Sequence, residues 1–333
     1  MAYTAIDDPS AYFKVQLYTG NGSADRAITF DDTDTDMQPD LVWIKNRDTT
    51  DSHCLFDSVR GATKVLHSDA TTAEVTDTDT LDSFASDGFQ VDADVKVNTN
   101  TENYVAWCWK ESATAGFDIV SFEGNETART ISHSLSAVPG LMIMKNRELG
   151  SSEWPTYHHK NTAAPETERL FLSGTQATLD NATFWNDTAP TSSVFSVATS
   201  VDNNEDTKDI IAYLFAEKQG FSKFGHYTGN GNADGTFVYI GFRPAYVMIK
   251  RTDSTDNWQI LDNKRAPHNL MQKTLYADVT TAEETTDRLD FLSNGFKIRA
   301  TNAAVNASGG TYIYMAFAEA PFVNSNGVPC NAR

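Results

Sequence analysis

The chain has 333 residues, of which 40% are hydrophobic and 21% charged, a globular composition long enough for two or three packed units. Its formal net charge of −19 repels phosphate backbones, and no Lys/Arg run offsets it, so nucleic acid is not expected as a partner. No apolar run approaches the ~18 residues that a membrane helix needs. The opening MAYTAIDDPSAYF lacks the basic and apolar regions of a secretory signal, which points to synthesis in the cytoplasm.

The first element is an extended stretch closing in a Gly-Asn turn, FKVQLYTGNGSAD from Phe13. It returns as FDIVSFEGNETA from Phe117 and FGHYTGNGNADG from Phe224. The aromatic before each turn is Tyr18, Phe122 and Tyr227, giving spacings of 104 (122 − 18) and 105 (227 − 122). The glycines read as turn residues supplying positive φ. The next element, PDLVWIKNR from Pro39, recurs as PGLMIMKNR from Pro139 and PAYVMIKRT from Pro244. Its core is apolar at every position, which suits a strand buried on both faces. The middle segment SDATTAEVTDTDTLDSFASDGFQV reappears as YADVTTAEETTDRLDFLSNGFKI, with Asp87-Gly88 and Asn294-Gly295 as two-residue hairpin turns. The closing element is YVAWCWKE from Tyr104, IIAYLFAE from Ile210 and YIYMAFAE from Tyr312. Short linkers at 110–117 and 216–221 join one repeat to the next.

These signals predict an all-β protein of three tandem antiparallel β-sandwich domains, jelly-roll or lectin-like, each with seven or eight strands. The boundaries are 1–111, 112–217 and 218–333, the last carrying a short C-terminal tail. The second repeat has diverged: Ser193-Val194 replaces the hairpin turn, and WPTYHHKN and TFWND replace the shared middle. Variable loops on a constant scaffold are where contacts concentrate. Residues 151–165 and 180–193 are therefore expected to touch another chain or a receptor.

No catalytic, cofactor-binding or metal-ligating set stands out. The acidic loop Asp32, Asp34, Asp36 lacks the glycine and glutamate of a calcium loop. The pair His158-His159 has no third ligand at metal spacing, and Cys54, Cys108 and Cys330 have no paired spacing. Cys108 aligns with Leu214 and Ala316, which makes it a buried, inert thiol. The candidate contact residues are Trp154, Tyr157, His158, His159, Trp185 and Trp258, aromatic groups off the closing strands that could stack on sugar rings. Lys45, Lys145 and Lys250, with Glu111, Glu217 and Glu319, recur in all three repeats. They read as structural: Lys along an apolar rim with its ammonium in water, Glu bonding a main-chain amide near a junction.

Taken together, YTGNG, PDLVWIKNR, LFDSVRGATK, LDSFASDGF and YVAWCWK resemble a domain of unknown function that recurs in virion proteins of marine bacteriophages, notably tail-fibre-like ones. The resemblance covers nearly all of repeat 1, is good in repeat 3 and is confined to the anchors in repeat 2. It implies a structural protein at the particle surface: a tail fibre, a tail or baseplate component, or a capsid decoration. Other virion proteins, further copies of the chain in a homo-oligomer, and a host-surface glycan or receptor would be its partners. The reading from a different class is a carbohydrate-binding or polysaccharide-depolymerising protein.

Overall fold

The computed structural model describes residues 3–30 and 35–330. Asp32 and Asp34 of the acidic loop lie outside them. Repeat 1 forms β1 (Phe13–Thr19), β2 (Arg26–Thr29), β3 (Leu41–Asn46), β4 (Cys54–Asp57), β5 (Lys64–Val65), β6 (Val75–Thr76), β7 (Leu81–Ala85), β8 (Gly88–Val91), the one-turn helix α1 (Val95–Asn98) and β9 (Asn103–Trp109). Repeat 2 forms β10 (Phe117–Glu123), β11 (Arg129–Ser132), β12 (Leu141–Asn146), β13 (Pro155–His158), β14 (Glu168–Phe171), β15 (Leu179–Asp180), α2 (Ala182–Trp185), β16 (Val194–Val197), α3 (Val201–Asn204) and β17 (Asp209–Phe215). Repeat 3 forms β18 (Ser222–Thr228), β19 (Phe237–Tyr239), β20 (Phe242–Arg251), β21 (Gln259–Asp262), β22 (Met271–Tyr276), β23 (Glu284–Leu292), β24 (Gly295–Ile298), α4 (Ala303–Asn306) and β25 (Thr311–Pro321).

The architecture is all-β and antiparallel. The sheet orders β1-β9-β3-β4, β10-β17-β12-β13-β14-β15 and β18-β25-β20-β21-β22-β23-β24-β19 begin with the same four equivalent strands. In repeat 3 one eight-stranded sheet curls until it is nearly closed. In repeats 1 and 2 the second layer is separate, as β2-β8-β7 and β11-β16. Among the described residues no sheet mixes strands of different repeats.

The closing strand lies between β1 and β3, or their counterparts, and buries both faces. Along β9, Tyr104, Ala106 and Cys108 face the core of their own repeat, while Val105, Trp107 and Trp109 enter a second core. Along β17, Ala212 and Leu214 face inward and Ile211, Tyr213 and Phe215 enter that same second core, with Ile313, Met315 and Phe317 of β25. The last aromatic of each closing strand meets the other two: ring centroids are 6.2 Å apart for Trp109–Phe215, 5.8 Å for Trp109–Phe317 and 5.9 Å for Phe215–Phe317. The three repeats thus close around one aromatic triangle.

The Gly-Asn motif has a more exact reason than its turn. A Cβ on Gly20, Gly124 or Gly229 would stand 1.9, 2.1 or 2.3 Å from the carbonyl oxygen of Thr99, Glu205 or Ala307, so only glycine fits. The next residue's amide donates to a buried side chain at the end of the one-turn helix: Asn21 to Asn98, Asn125 to Asn204 and Asn230 to Asn306. Positive φ appears two residues after each first glycine, at Gly22, Glu126 and Gly231. The hairpin turns also differ by one residue from the expectation. Ala85 pairs Gly88 and Leu292 pairs Gly295, so Ser86-Asp87 and Ser293-Asn294 form the loops. Gly88 and Gly295 open the return strands, where a Cβ would strike Ile28 O and Val238 O.

Among the described residues the buried Trp109 indole N–H finds no acceptor, a cost the two phenylalanines of the triangle do not carry. Trp109→Phe is therefore expected to change stability by less than about 1 kcal/mol, whereas Phe317→Ala should cost about 3–5 kcal/mol. Urea denaturation of the two variants checks this contrast.

Candidate functional site

Buried polar groups gather where one repeat meets the next. Between repeats 1 and 2, the turn after β4 places Arg60 against Asp57 in an ion pair with both side chains fully buried. The Tyr213 hydroxyl donates to Asp57 Oδ2 at 2.7 Å. Arg60 also reaches Glu74 at 3.0 Å, and Arg147 grips Glu74 with two bonds of 2.9 Å. Burial opposes the charge of Arg60, but Tyr213, Asp57 and Glu74 more than offset it and its pKa rises. Burial likewise opposes the charge of Glu74, yet the bonds from Arg147 and Arg60 hold its carboxyl below the usual range.

The same device joins repeat 3 back to repeat 1. Arg265 pairs with Asp262, the Trp107 indole donates to Asp262 at 3.0 Å, and Arg47 grips Glu283 with two bonds of 2.9 Å. A main-chain bond accompanies each clasp, from Glu74 N to Arg147 O and from Glu283 N to Arg47 O. Its counterpart between repeats 2 and 3 runs from Thr178 N to Thr252 O. The contacts therefore run 1 to 2, 2 to 3 and 3 to 1, and the ring is closed.

The seam between repeats 2 and 3 replaces the ions. His158 stands where the others have Asp57 and Asp262, and the position of Tyr213 and Trp107 is held in repeat 3 by Met315, which has no hydrogen to donate to an acid. His158 Nδ1 accepts from Lys160 N, so Nε2 carries the proton and donates to Tyr314 O at 3.1 Å. Burial, reinforced by His159, lowers the His158 pKa to about 3 and keeps the ring neutral. His159 Nε2 lies 2.6 Å from Phe224 O.

The other candidates are also interior. Trp154 donates to His67 O and Ala70 O of repeat 1, and Trp258 to Phe171 O of repeat 2. Tyr157 and Trp185 meet edge to face in the core of repeat 2, where the indole donates to Glu168 O. Trp154, Tyr157, His158, Trp185 and Trp258 are all buried and His159 is half-buried, so the expectation of exposed stacking rings is corrected. The divergence of repeat 2 at 154–159 follows from the seam it must form.

The lysine expectation is corrected too. Lys45, Lys145 and Lys250 are wholly buried, and each ammonium donates to main-chain carbonyls. The acceptors are Asn46 O and Thr49 O for Lys45, Thr71 O and Ser152 O for Lys145, and Thr175 O and Arg251 O for Lys250. Lys145 and Lys250 thereby hold the preceding repeat. Burial lowers all three to about 8. Lys45 pairs Val105 in register, so antiparallel pairing sets Glu111 at the far end of the sheet. Glu111 accepts from Ile119 N and Glu217 from Phe224 N, at the two linked junctions. Burial and the hydrogen bond with Asp118 raise Glu111 to about 7. Burial works against the Glu217 charge, but bonds from His159, Lys223 and Phe224 N bring it to about 2.

Cys54 and Cys108 are buried, with thiol pKa values pushed well up by burial. Among the described residues no group of three or more His, Cys, Asp or Glu is arranged to hold a metal ion. No helix of the described residues is long and apolar enough to cross a membrane. Sequence reading missed Asp57, Arg60, Asp262, Arg265, Glu74 and Glu283. The signal for them was present, since D-x-x-R and T-T-A-E are shared by repeats 1 and 3 and absent from repeat 2.

The chain belongs to the family described as Domain of unknown function (DUF7483), whose profile matches residues 8–321 and so runs through all three repeats. No curated protein and no solved structure matches it.

Arg60→Met would leave the buried Asp57 carboxylate without a cation, while Arg147 still holds Glu74, and should cost about 3–5 kcal/mol in urea denaturation, with part of the loss recovered by adding Asp57→Leu. The lysines set a pH dependence. Each folded-state pKa lies near 8, below the ordinary 10.5, so the unfolded chain binds more protons between those values and stability rises with pH there. From pH ~7.5 to ~9.5 each lysine should add about 1–2 kcal/mol. Denaturation at both pH values should show a smaller rise for Lys145→Met than for the unsubstituted chain.

Proposed function

We propose that this chain is a structural protein of a bacteriophage particle, carried at the particle surface as part of a tail fibre, of the tail or baseplate, or as a capsid decoration. One observation carries the reading: the charged and aromatic groups most suited to chemistry are spent on clasping the three repeats to one another. The reading also rests on the resemblance of the anchor motifs to virion proteins, and on an acidic surface suited to dense arrays. In it, the three repeats act as jelly-roll or lectin-like modules, and the chain works without enzymatic activity or cofactor. Its partners are other virion proteins, further copies of itself and a host-surface glycan or receptor. Labelling of purified particles with an antibody against the chain, viewed by electron microscopy, should place it on the particle surface. Particles devoid of label, with the protein left in the lysate, would overturn the reading.

A carbohydrate-binding role has one observation in its favour. The exposed rings of Phe237 and Tyr239 alternate along β19, and Tyr239 borders a groove of about 440 Å³ with Tyr3. Aromatic faces beside a groove can stack on sugar rings. Binding on a glycan array that is lost in Tyr239→Ala would favour this second reading.

A further inference from the structure

The same short strand occurs three times in the molecule, and only one of the three carries aromatic rings on its exposed side. Ile28 lies opposite Phe89, Ile131 opposite Phe195 and Val238 opposite Phe296, so these residues are equivalent. The flanking positions are then Ala27 and Thr29 in β2, Thr130 and Ser132 in β11, and Phe237 and Tyr239 in β19. All six residues are exposed. Small or polar residues suffice in repeats 1 and 2, so the backbone does not require an aromatic there. Tyr239 is 63% exposed, a placement that packing within the chain does not explain.

The space beside Tyr239 is also particular to repeat 3. One wall is the start of β18, where Lys223 is the counterpart of Lys14 and Asp118. In repeat 1 the Lys14 ammonium lies 5.1 Å from the centroid of the Phe30 ring, and in repeat 2 Asp118 accepts from Ser134 N at 2.5 Å. Each contact ties the first strand of its repeat to the segment that ends β2 or β11. In repeat 3 Lys223 pairs instead with Glu217 at 2.7 Å, and Gly241, the counterpart of Ser134, gives its amide to Asn294 O. Between Lys223 and the segment 239–241 lies the groove of about 440 Å³. Tyr3, Phe322 and Val323 complete its apolar lining, and Phe322 N donates to Gly241 O.

We propose that this groove binds a neutral pyranose, one residue of a glycan, with a C–H face of the sugar on the Tyr239 ring and its hydroxyls bonded to the Glu217–Lys223 pair and to Gln219. The inference rests on the carbohydrate-binding reading and gives that reading a ligand class and a site. A carboxylate and an ammonium side by side offer an acceptor and a donor without net charge, which matches hydroxyls. The chain's net charge of −19 repels uronate- and sialate-bearing glycans and selects neutral ones. The groove's size is that of a small-ligand site.

The test applies the full chain to an array of neutral, uronate-bearing and sialate-bearing oligosaccharides, then measures affinity for the strongest neutral ligand by isothermal titration calorimetry. Binding confined to neutral glycans is expected. Tyr239→Ser installs the repeat 2 residue at an exposed position and should weaken binding about tenfold or more. Lys223→Met should weaken it about threefold or more. Adding Ser132→Tyr to Tyr239→Ser should restore nothing, because repeat 2 would then offer the ring without the groove. Binding of neutral glycans that survives Tyr239→Ser and Lys223→Met, or that returns with Ser132→Tyr, would keep the carbohydrate-binding reading and overturn the groove as its site. A preference for acidic glycans would overturn the ligand class. Failure to bind any glycan would remove the reading and the proposal together.

Discussion

Three aromatic rings, one from the end of each closing strand, hold the molecule at its centre. Trp109, Phe215 and Phe317 pack within about 6 Å of one another, and each belongs to a strand buried on both faces. Such a strand cannot finish in solvent on either side. Its own repeat covers one face and the two other repeats must cover the second. The doubly apolar sequence of β9, β17 and β25 is therefore a demand for three-way packing, and the buried clasps at the rim follow from it. Once the rims are brought together out of water, any charge there must be paired, hydrogen-bonded or replaced.

The three rims show two solutions. Where the facing residue can donate, as Tyr213 and Trp107 do, an aspartate accepts and an arginine neutralises it. Where the equivalent position holds Met315, a neutral histidine donates to a main-chain carbonyl instead. Acid and donor change together, as expected when an unmatched buried polar group costs more than a matched pair contributes.

Much of the frame was legible before any coordinates. The repeat period and the double burial of the central and closing strands follow from apolar patterning, which is local in sequence. The clasps were not legible, because their partners lie far apart in the chain, as with Arg47 and Glu283, and no local pattern reports a contact of that range. Lys45 misled for a related reason. An isolated lysine after an apolar strand ordinarily reaches water, but here neighbouring main chain closes over it and supplies carbonyl acceptors. Trp154 and Trp258 likewise read as surface rings because they fall outside the periodic strands, whereas each fills a junction with the preceding repeat. The Gly-Asn turn was placed correctly but explained incompletely: its first glycine answers a carbonyl from a segment about 80 residues away.

The joining of the three repeats in one polypeptide has a consequence for how such a ring can change. A homotrimer of a single repeat would carry every substitution three times, so a change helpful at one subunit boundary would be imposed on all of them. A fused chain escapes that degeneracy. It can keep an ionic boundary twice, a histidine boundary once, and leave one boundary without a linker, each adjusted independently while the shared centre stays the same.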